Sequence, residues 1–145
     1  MARHFLDTSA LVKLYRSEPQ TQAVQTCIMP NDVLVLSGIA FLEFQSTFFS
    51  LVRQKYISTV DAQQRIALLQ QDLGNFEIIP LSQSHVQTAE SLLNRFAVGD
   101  GLRPADALQL ASAIDAAART PLDSFVTTDG VLRICGSAVG LQVKP

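Results

Sequence analysis

Four carboxylates, Asp7, Glu43, Asp106 and Asp129, stand where packing alone would not put them. Asp7 lies between a short strand-like run, Arg3 to Leu6, and an apolar helical stretch. Glu43 is flanked by Ala40, Phe41, Leu42 and Phe44. Asp106 falls in the first turn of the most apolar helical stretch, and Asp129 follows Phe125-Val126. Each has an ordinary explanation on its own. Asp106, close to Pro104, suits the positive end of a helix dipole; Asp7 and Asp129 suit turns or caps; Glu43 suits the wet face of an amphipathic helix. Converging on one edge of a fold, the four would repel. Carboxylates at close quarters raise one another's pKa and destabilise the fold unless protons or cations are shared. A hard divalent cation, Mg²⁺ or Mn²⁺, removes that conflict, because it takes oxygen ligands, keeps several waters and leaves room for a substrate phosphate. It can then activate water, orient a phosphodiester and stabilise the charge that develops in an in-line displacement.

The elements that must position these acids alternate between strands and helices. After Arg3–Leu6, Thr8 and Ser9 are placed to cap a helix through Ala10, Leu11, Leu14 and Tyr15, which Glu18-Pro19 breaks. A short helix is expected over Gln20–Cys27. Val33-Leu34-Val35-Leu36 is a continuous apolar run of the kind found in strands covered on both faces. A helix over about Ile39–Gln54 carries Glu43 in its early turns. Helices near Asp61–Leu73 and Ser84–Phe96 flank the strand-like Phe76–Ile79, and Gly99-Asp100-Gly101 reads as a loop. Pro104 suits the first turn of a helix to about Ala118, whose Ala and Leu residues on nearly every side predict burial. Ser124–Thr127 is a further strand ending at Thr128-Asp129, and Leu141-Gln142-Val143 is placed to add an edge strand. Such alternation predicts an α/β fold with a mainly parallel sheet. Right-handed crossovers then gather the strand C-termini, and with them Asp7 and Asp129, on one edge.

The chain has 145 residues, 48% hydrophobic and 17% charged, with no low-complexity tract and no repeat. It reads as one domain, residues 1–145, able to bury a core. Two cysteines, Cys27 and Cys135, make no motif, which argues against a disulfide framework and for a reduced, cytoplasmic setting. No signal peptide fits the start, and Val33–Phe44 is too short for a membrane span. The net charge of −2, from 11 basic and 13 acidic residues, argues against a protein that coats nucleic acid by charge alone. It is compatible with an enzyme that grips a single phosphate through a metal ion.

The run Asp7-Thr8-Ser9-Ala10-Leu11-Val12-Lys13-Leu14-Tyr15, then Glu43, then Leu102-Arg103-Pro104-Ala105-Asp106-Ala107-Leu108-Gln109-Leu110-Ala111, then Val126-Thr127-Thr128-Asp129, resembles a PIN domain. More narrowly, it resembles the VapC toxins of toxin–antitoxin pairs, over essentially the whole chain. The resemblance implies a three-layer α/β/α sandwich and an acidic cluster of Asp7, Glu43, Asp106 and Asp129 holding one or two Mg²⁺ or Mn²⁺ ions. Asp7 would be the central ligand, and Asp129 would complete a second position or bind through water. Ser9 and Thr127 match hydroxyls that support the acids. Endonucleolytic hydrolysis of RNA by metal-activated water, a homodimer and inhibition by a cognate antitoxin are also implied. Gln109 stands where an aromatic residue or His is frequent, and Gly130 where a basic residue is common. Both departures bear on substrate preference.

Several residues have plainer readings. His4 and His85 are isolated, without finger-like spacing for zinc, and His4 has only a minor claim to touch the site. Ser9 lacks a convincing His base for nucleophilic catalysis. Phe41, Phe44, Phe48 and Phe49 recur at helical spacing and read first as core, with a dimer face as the alternative. Lys13, Arg16, Arg53, Lys55 and Arg103 could line an RNA path, though most read as ordinary solvated side chains; Arg103, three residues before Asp106, is the one to single out. Two rival functions share the acids. In a phosphotransfer domain Asp7 would be the nucleophile, but the second nearby Asp and distal Lys of such folds are missing. In a binding-only scaffold of the same fold the acids would hold metal without turnover.

Overall fold

The computed structural model describes residues 1–145. Five strands, β1 (Arg3–Leu6), β2 (Val33–Ser37), β3 (Glu77–Ile79), β4 (Ser124–Val126) and β5 (Val143–Lys144), form one sheet in the order β3-β2-β1-β4-β5. Every pairing is parallel, so the sheet is wholly rather than mainly parallel. Seven helices complete the fold: α1 (Thr8–Tyr15), α2 (Thr21–Thr26), α3 (Ala40–Arg53), α4 (Thr59–Asp72), α5 (Gln83–Asp100), α6 (Pro104–Arg119) and α7 (Gly130–Ala138).

The strands divide the core by their period of two. Phe5, Val35, Ile79 and Phe125 point to one face, against α5, α6 and α7. Their neighbours Leu6, Leu36 and Val126 point to the other, against α1 to α4. Both faces are covered, as the unbroken apolar runs predict, and the three-layer α/β/α architecture follows. Helix α6 buries Ala107, Gln109, Leu110, Ala111, Ser112, Ala113 and Ala116. The phenylalanines of α3 split: Phe44 and Phe48 are fully buried, whereas Phe49 and its neighbour Leu42 are exposed.

Three local expectations need correction. Asp7 itself, not Thr8 or Ser9, caps α1, with its side chain accepting from the Ala10 amide. Gly99 and Asp100 continue α5, and the helix stops only at Gly101, whose φ of 75° is the left-handed geometry glycine supplies without a Cβ penalty. A seventh helix, α7, follows Asp129, in a segment where the sequence reading assigned none.

The turn from β2 into α3 explains how Glu43 reaches the same edge as Asp7. A Cβ on Gly38 would lie 3.1 Å from the Leu81 nitrogen and 3.2 Å from the Ile79 oxygen, and the Gly38 amide donates to that same oxygen. This close approach ties the end of β2 to the end of β3 just before α3 begins. Ser112 of α6 donates to Ser37 at 3.1 Å and fastens the buried helix over the same end of β2.

Candidate active site

Asp7 and Asp129 follow the adjacent strands β1 and β4, Glu43 lies in the first turn of α3, and Asp106 in the first turn of α6. All four line one small open cavity, together with Thr8, Ser9, Gln109 and Leu132. Its space open to water is about 60 Å³. One water needs roughly 10–15 Å³ on that measure, so the cavity admits an ion with a few waters but not a nucleotide. A polymer would have to lie across it.

Asp7 is the most buried of the four acids, 2% exposed. The Ala10 amide donates to Oδ1 at 2.9 Å, Ser9 Oγ donates to Oδ1 at 2.7 Å and Oδ2 at 2.9 Å, and Thr127 Oγ1 donates to Oδ2 at 2.7 Å. The hydroxyl directions are set by the backbone beyond them. Ser9 Oγ accepts from the Thr128 amide at 3.0 Å and Thr127 Oγ1 from the Asp129 amide at 3.0 Å, so each hydroxyl proton is left to point at Asp7. Both supporting hydroxyls expected from the sequence are therefore on the carboxylate. Burial nevertheless prevails over these bonds and, with the charge of Asp129 adding to it, raises the Asp7 pKa to about 6. An isolated nucleophile is a poor description of a carboxylate with both oxygens engaged and almost no exposure, which weakens the phosphotransfer reading.

The other acids are more open. Burial and the charge of Asp129 raise the Asp106 pKa, against the pull of Arg103. That pair is loose, at 3.6 Å, with the Arg103 side chain 80% exposed, so it contributes little. Asp129 caps α7 by accepting from the Leu132 amide at 2.9 Å. Glu43 Oε1 accepts from Thr8 Oγ1 at 3.0 Å and from Gln109 Nε2 at 2.6 Å. Thr8, expected as a helix cap, and Gln109, expected to bear on substrate preference, have a place beside Glu43 that the sequence did not predict. The signal for Gln109 was there: an amide on the most apolar helix of the chain.

The donor set suits a hard divalent ion in kind. It is all oxygen, it is acidic, and Asp7 has no cationic partner to neutralise it. No three acids stand in an arrangement that closes on one point. Mg²⁺ does not require that, since it commonly binds through one or two carboxylates and keeps its waters. The residues present therefore fit such an ion as an open site.

A family profile described as PIN domain matches residues 4–133. The chain belongs to the PIN-domain family. Among curated proteins, none matches this chain. Solved structures with the same fold include Mycobacterium tuberculosis VapC20, a toxin that cleaves the sarcin–ricin loop, at TM-score 0.67 and 18% identity, covering 98% of this chain and 99% of that one. VapBC2 from Rickettsia felis, bound to a promoter DNA fragment, gives TM-score 0.63 and 18% identity over 98% of this chain and 97% of that one. A toxin–antitoxin complex from Klebsiella pneumoniae gives 0.56 and 20% over 87% and 86%.

Residues with weaker claims fall outside the acidic cavity of this PIN domain. His4 is buried, its Nδ1 2.7 Å from Ser124 Oγ and its Nε2 3.0 Å from Asp32 Oδ2. The contacts are those of a Ser–His–Asp triad, but Ser124 is 1% exposed and none of the three lines a cavity. They tie β1 to β4 and to the turn before β2. His85 pairs with Asp115 at 2.7 Å between α5 and α6. Lys13 and Arg16 are both held by Glu18, at 3.3 and 2.8 Å, while Arg53 ends α3, roughly 15 Å along the axis from Glu43. Arg103 remains the exposed cation beside the acids. Arg133, unremarked in the sequence, donates to the Thr127 carbonyl at 3.4 Å from α7.

Asp129 combines a cap with a charge, and the two can be separated. Asp129→Asn keeps an acceptor for the Leu132 amide and removes a charge that works against Asp7 and Asp106, so its melting temperature in metal-free buffer should be at or slightly above wild type. Asp129→Ala should lose about 1 kcal/mol by urea denaturation. Equal losses in both variants would mean that the cap geometry is not what Asp129 contributes to stability.

Proposed function

We propose that this chain is a divalent-cation-dependent endoribonuclease and the toxin of a toxin–antitoxin pair. The observation that carries the reading is Asp7: a buried, hydroxyl-braced carboxylate with no cationic partner, lining one open cavity with Glu43, Asp106 and Asp129. Mg²⁺ or Mn²⁺ would be held by Asp7 and Asp106, with Glu43 and Asp129 beside them. When bound, such an ion supplies a Lewis acid that lowers the pKa of water and offsets charge on a phosphodiester. The chain's own part is positioning. Ser9 and Thr127 fix Asp7, the α7 cap fixes Asp129, and the shallow cavity leaves the RNA backbone to run over the rim, where Arg103 is the cation best placed to meet a phosphate.

RNA cleavage by a fold relative such as VapC20, and the toxin–antitoxin nature of the Klebsiella complex, support this reading. Under it, a protein antitoxin covers the acidic cavity. Exposed Leu42 and Phe49 of α3 are the apolar surface that a homodimer would bury. No helix is long and apolar enough to cross a membrane, and the protein would act on RNA in the cytoplasm.

The test is incubation of purified protein with a linear and a circular RNA, with Mg²⁺, with Mn²⁺ and with EDTA. Cleavage of the circle only when metal is supplied is the expected outcome. Metal uptake without cleavage of any RNA offered would favour the binding-only scaffold, and undiminished cleavage in EDTA would refute the metal requirement.

A further inference from the structure

We propose that Gln109 is a positioning residue for Glu43, its amide clasping one carboxylate oxygen so that the other is left to face the cavity. The inference rests on the divalent-cation reading above and goes beyond it by assigning a role to a residue outside the acidic set. Gln109 Nε2 lies 2.6 Å from Glu43 Oε1 and 2.8 Å from Thr8 Oγ1, and Thr8 Oγ1 lies 3.0 Å from the same Glu43 oxygen. The three side chains, from α6, α3 and α1, close a ring of hydrogen bonds. Its polarity is fixed by chemistry. A carboxylate only accepts, so Thr8 gives its proton to Glu43 and takes one from the Gln109 amide. Flipping the amide would set two oxygens against each other at the shortest contact in the ring. Glu43 Oε1 thus has two donors, while Oε2 has no hydrogen-bond partner in the protein.

A packing role does not account for this arrangement. Gln109 is 1% exposed, and its Oε1 is buried with no hydrogen-bond partner. An unpaired buried acceptor is costly, and a methionine of similar length would fill the same space on this apolar helix without that cost. The amide is explained if its N–H groups are needed on Glu43. Its neutrality matters as well. A Lys or Arg there would orient Glu43 equally well but would cancel the negative charge a cation requires.

The experiment compares metal-stripped wild type, Gln109→Met and Thr8→Val by Mn²⁺ titration calorimetry, thermal unfolding in EDTA and RNA cleavage as a function of Mn²⁺. Gln109→Met should melt close to the wild-type temperature in EDTA, because removing the unpaired acceptor offsets the loss of the bonds to Thr8 and to the half-buried Glu43, which water can partly replace. Its Mn²⁺ affinity should nevertheless fall roughly 10- to 100-fold, the range for partners that orient metal ligands. Cleavage at saturating Mn²⁺ should recover to within a few-fold of wild type. Thr8→Val, which removes one of the two donors, should weaken Mn²⁺ binding in the same direction but less. Unchanged Mn²⁺ affinity in Gln109→Met, with wild type binding normally, overturns the clasp and leaves the nuclease reading intact. If Gln109→Met does not fold, unchanged affinity in Thr8→Val overturns the clasp. A fall in affinity matched by a fall in EDTA melting temperature shows a structural role and overturns it too. Wild type that takes up no Mn²⁺ overturns both.

Discussion

Asp7→Asn should abolish RNA cleavage and, in metal-free buffer above pH 6, leave the protein more stable than wild type. Asn preserves the cap, since its Oδ1 can still accept from the Ala10 amide, and it removes the buried charge. Loss of a central metal ligand should cost at least ~10³-fold in rate, about 4 kcal/mol of transition-state stabilisation. The stability gain has a defined pH window. Burial raises the Asp7 pKa from 3.8 to about 6, so the folded state holds its proton where the unfolded chain has released it. Asp7 therefore costs nothing below about pH 4, where both states are protonated, and wild type loses stability as pH rises through 6. Two pKa units correspond to about 3 kcal/mol at most. Other carboxylates act in the opposite sense: Arg3 lowers the Glu77 pKa and Arg119 lowers that of Asp115. The quantity to measure is thus the difference between Asp7→Asn and wild type in urea denaturation, from pH 4 to 8 with EDTA. A gap that opens across that range agrees with the account. A variant less stable than wild type at pH 8 would show that Asp7 is not an uncompensated charge.

Thr127→Val should have the second largest effect, in the opposite direction for stability. The substitution nearly conserves shape at a fully buried position but removes the hydroxyl that donates to Asp7 Oδ2 and accepts from the Asp129 amide. Hydrogen bonds to charged groups contribute about 1.5–3 kcal/mol, so a destabilisation of about 2 kcal/mol is expected at neutral pH. Thr127 is the largest influence lowering the Asp7 pKa, and without it that pKa should move further above 6. The acid limb of the pH–rate profile should then shift to higher pH, because a metal ligand must be deprotonated. Measuring cleavage at fixed Mn²⁺ from pH 5 to 9 checks this. An unshifted acid limb would mean that ionisation of Asp7 does not control the rate.

The parts of the fold set by chain-local patterns were legible in the sequence. The unbroken run Val33–Leu36 forecast a strand covered on both faces, and Leu6 and Val126 marked where β1 and β4 would deliver Asp7 and Asp129. Pro104 and the alanine-rich stretch after it placed α6 and Asp106 correctly. What depended on long-range placement was not legible. Helix α7 opens at Gly130 and carries Gly136 within it, residues that weaken a helical signal, so Asp129 suited a turn or a cap without a helix after it to be capped. Lys13 and Arg16 read as ordinary solvated cations, and their shared partner appears only once the turn after α1 brings Glu18 between them. Gln109 lies far from Thr8 and Glu43 in sequence, and its amide gains a purpose only because the parallel sheet brings the start of α6 to the edge where α1 and α3 begin. The exposed and buried phenylalanines of α3 likewise separate only once the helix has a sheet to lie on.

The central claim is that the buried, braced Asp7 is the anchor of a divalent-cation site. Isothermal titration of Mn²⁺ into metal-stripped wild type and Asp7→Asn at pH 7.5 tests it most directly. Saturable binding by wild type that weakens at least tenfold in Asp7→Asn is the predicted result; equal binding by the two proteins, or none by wild type, would contradict it.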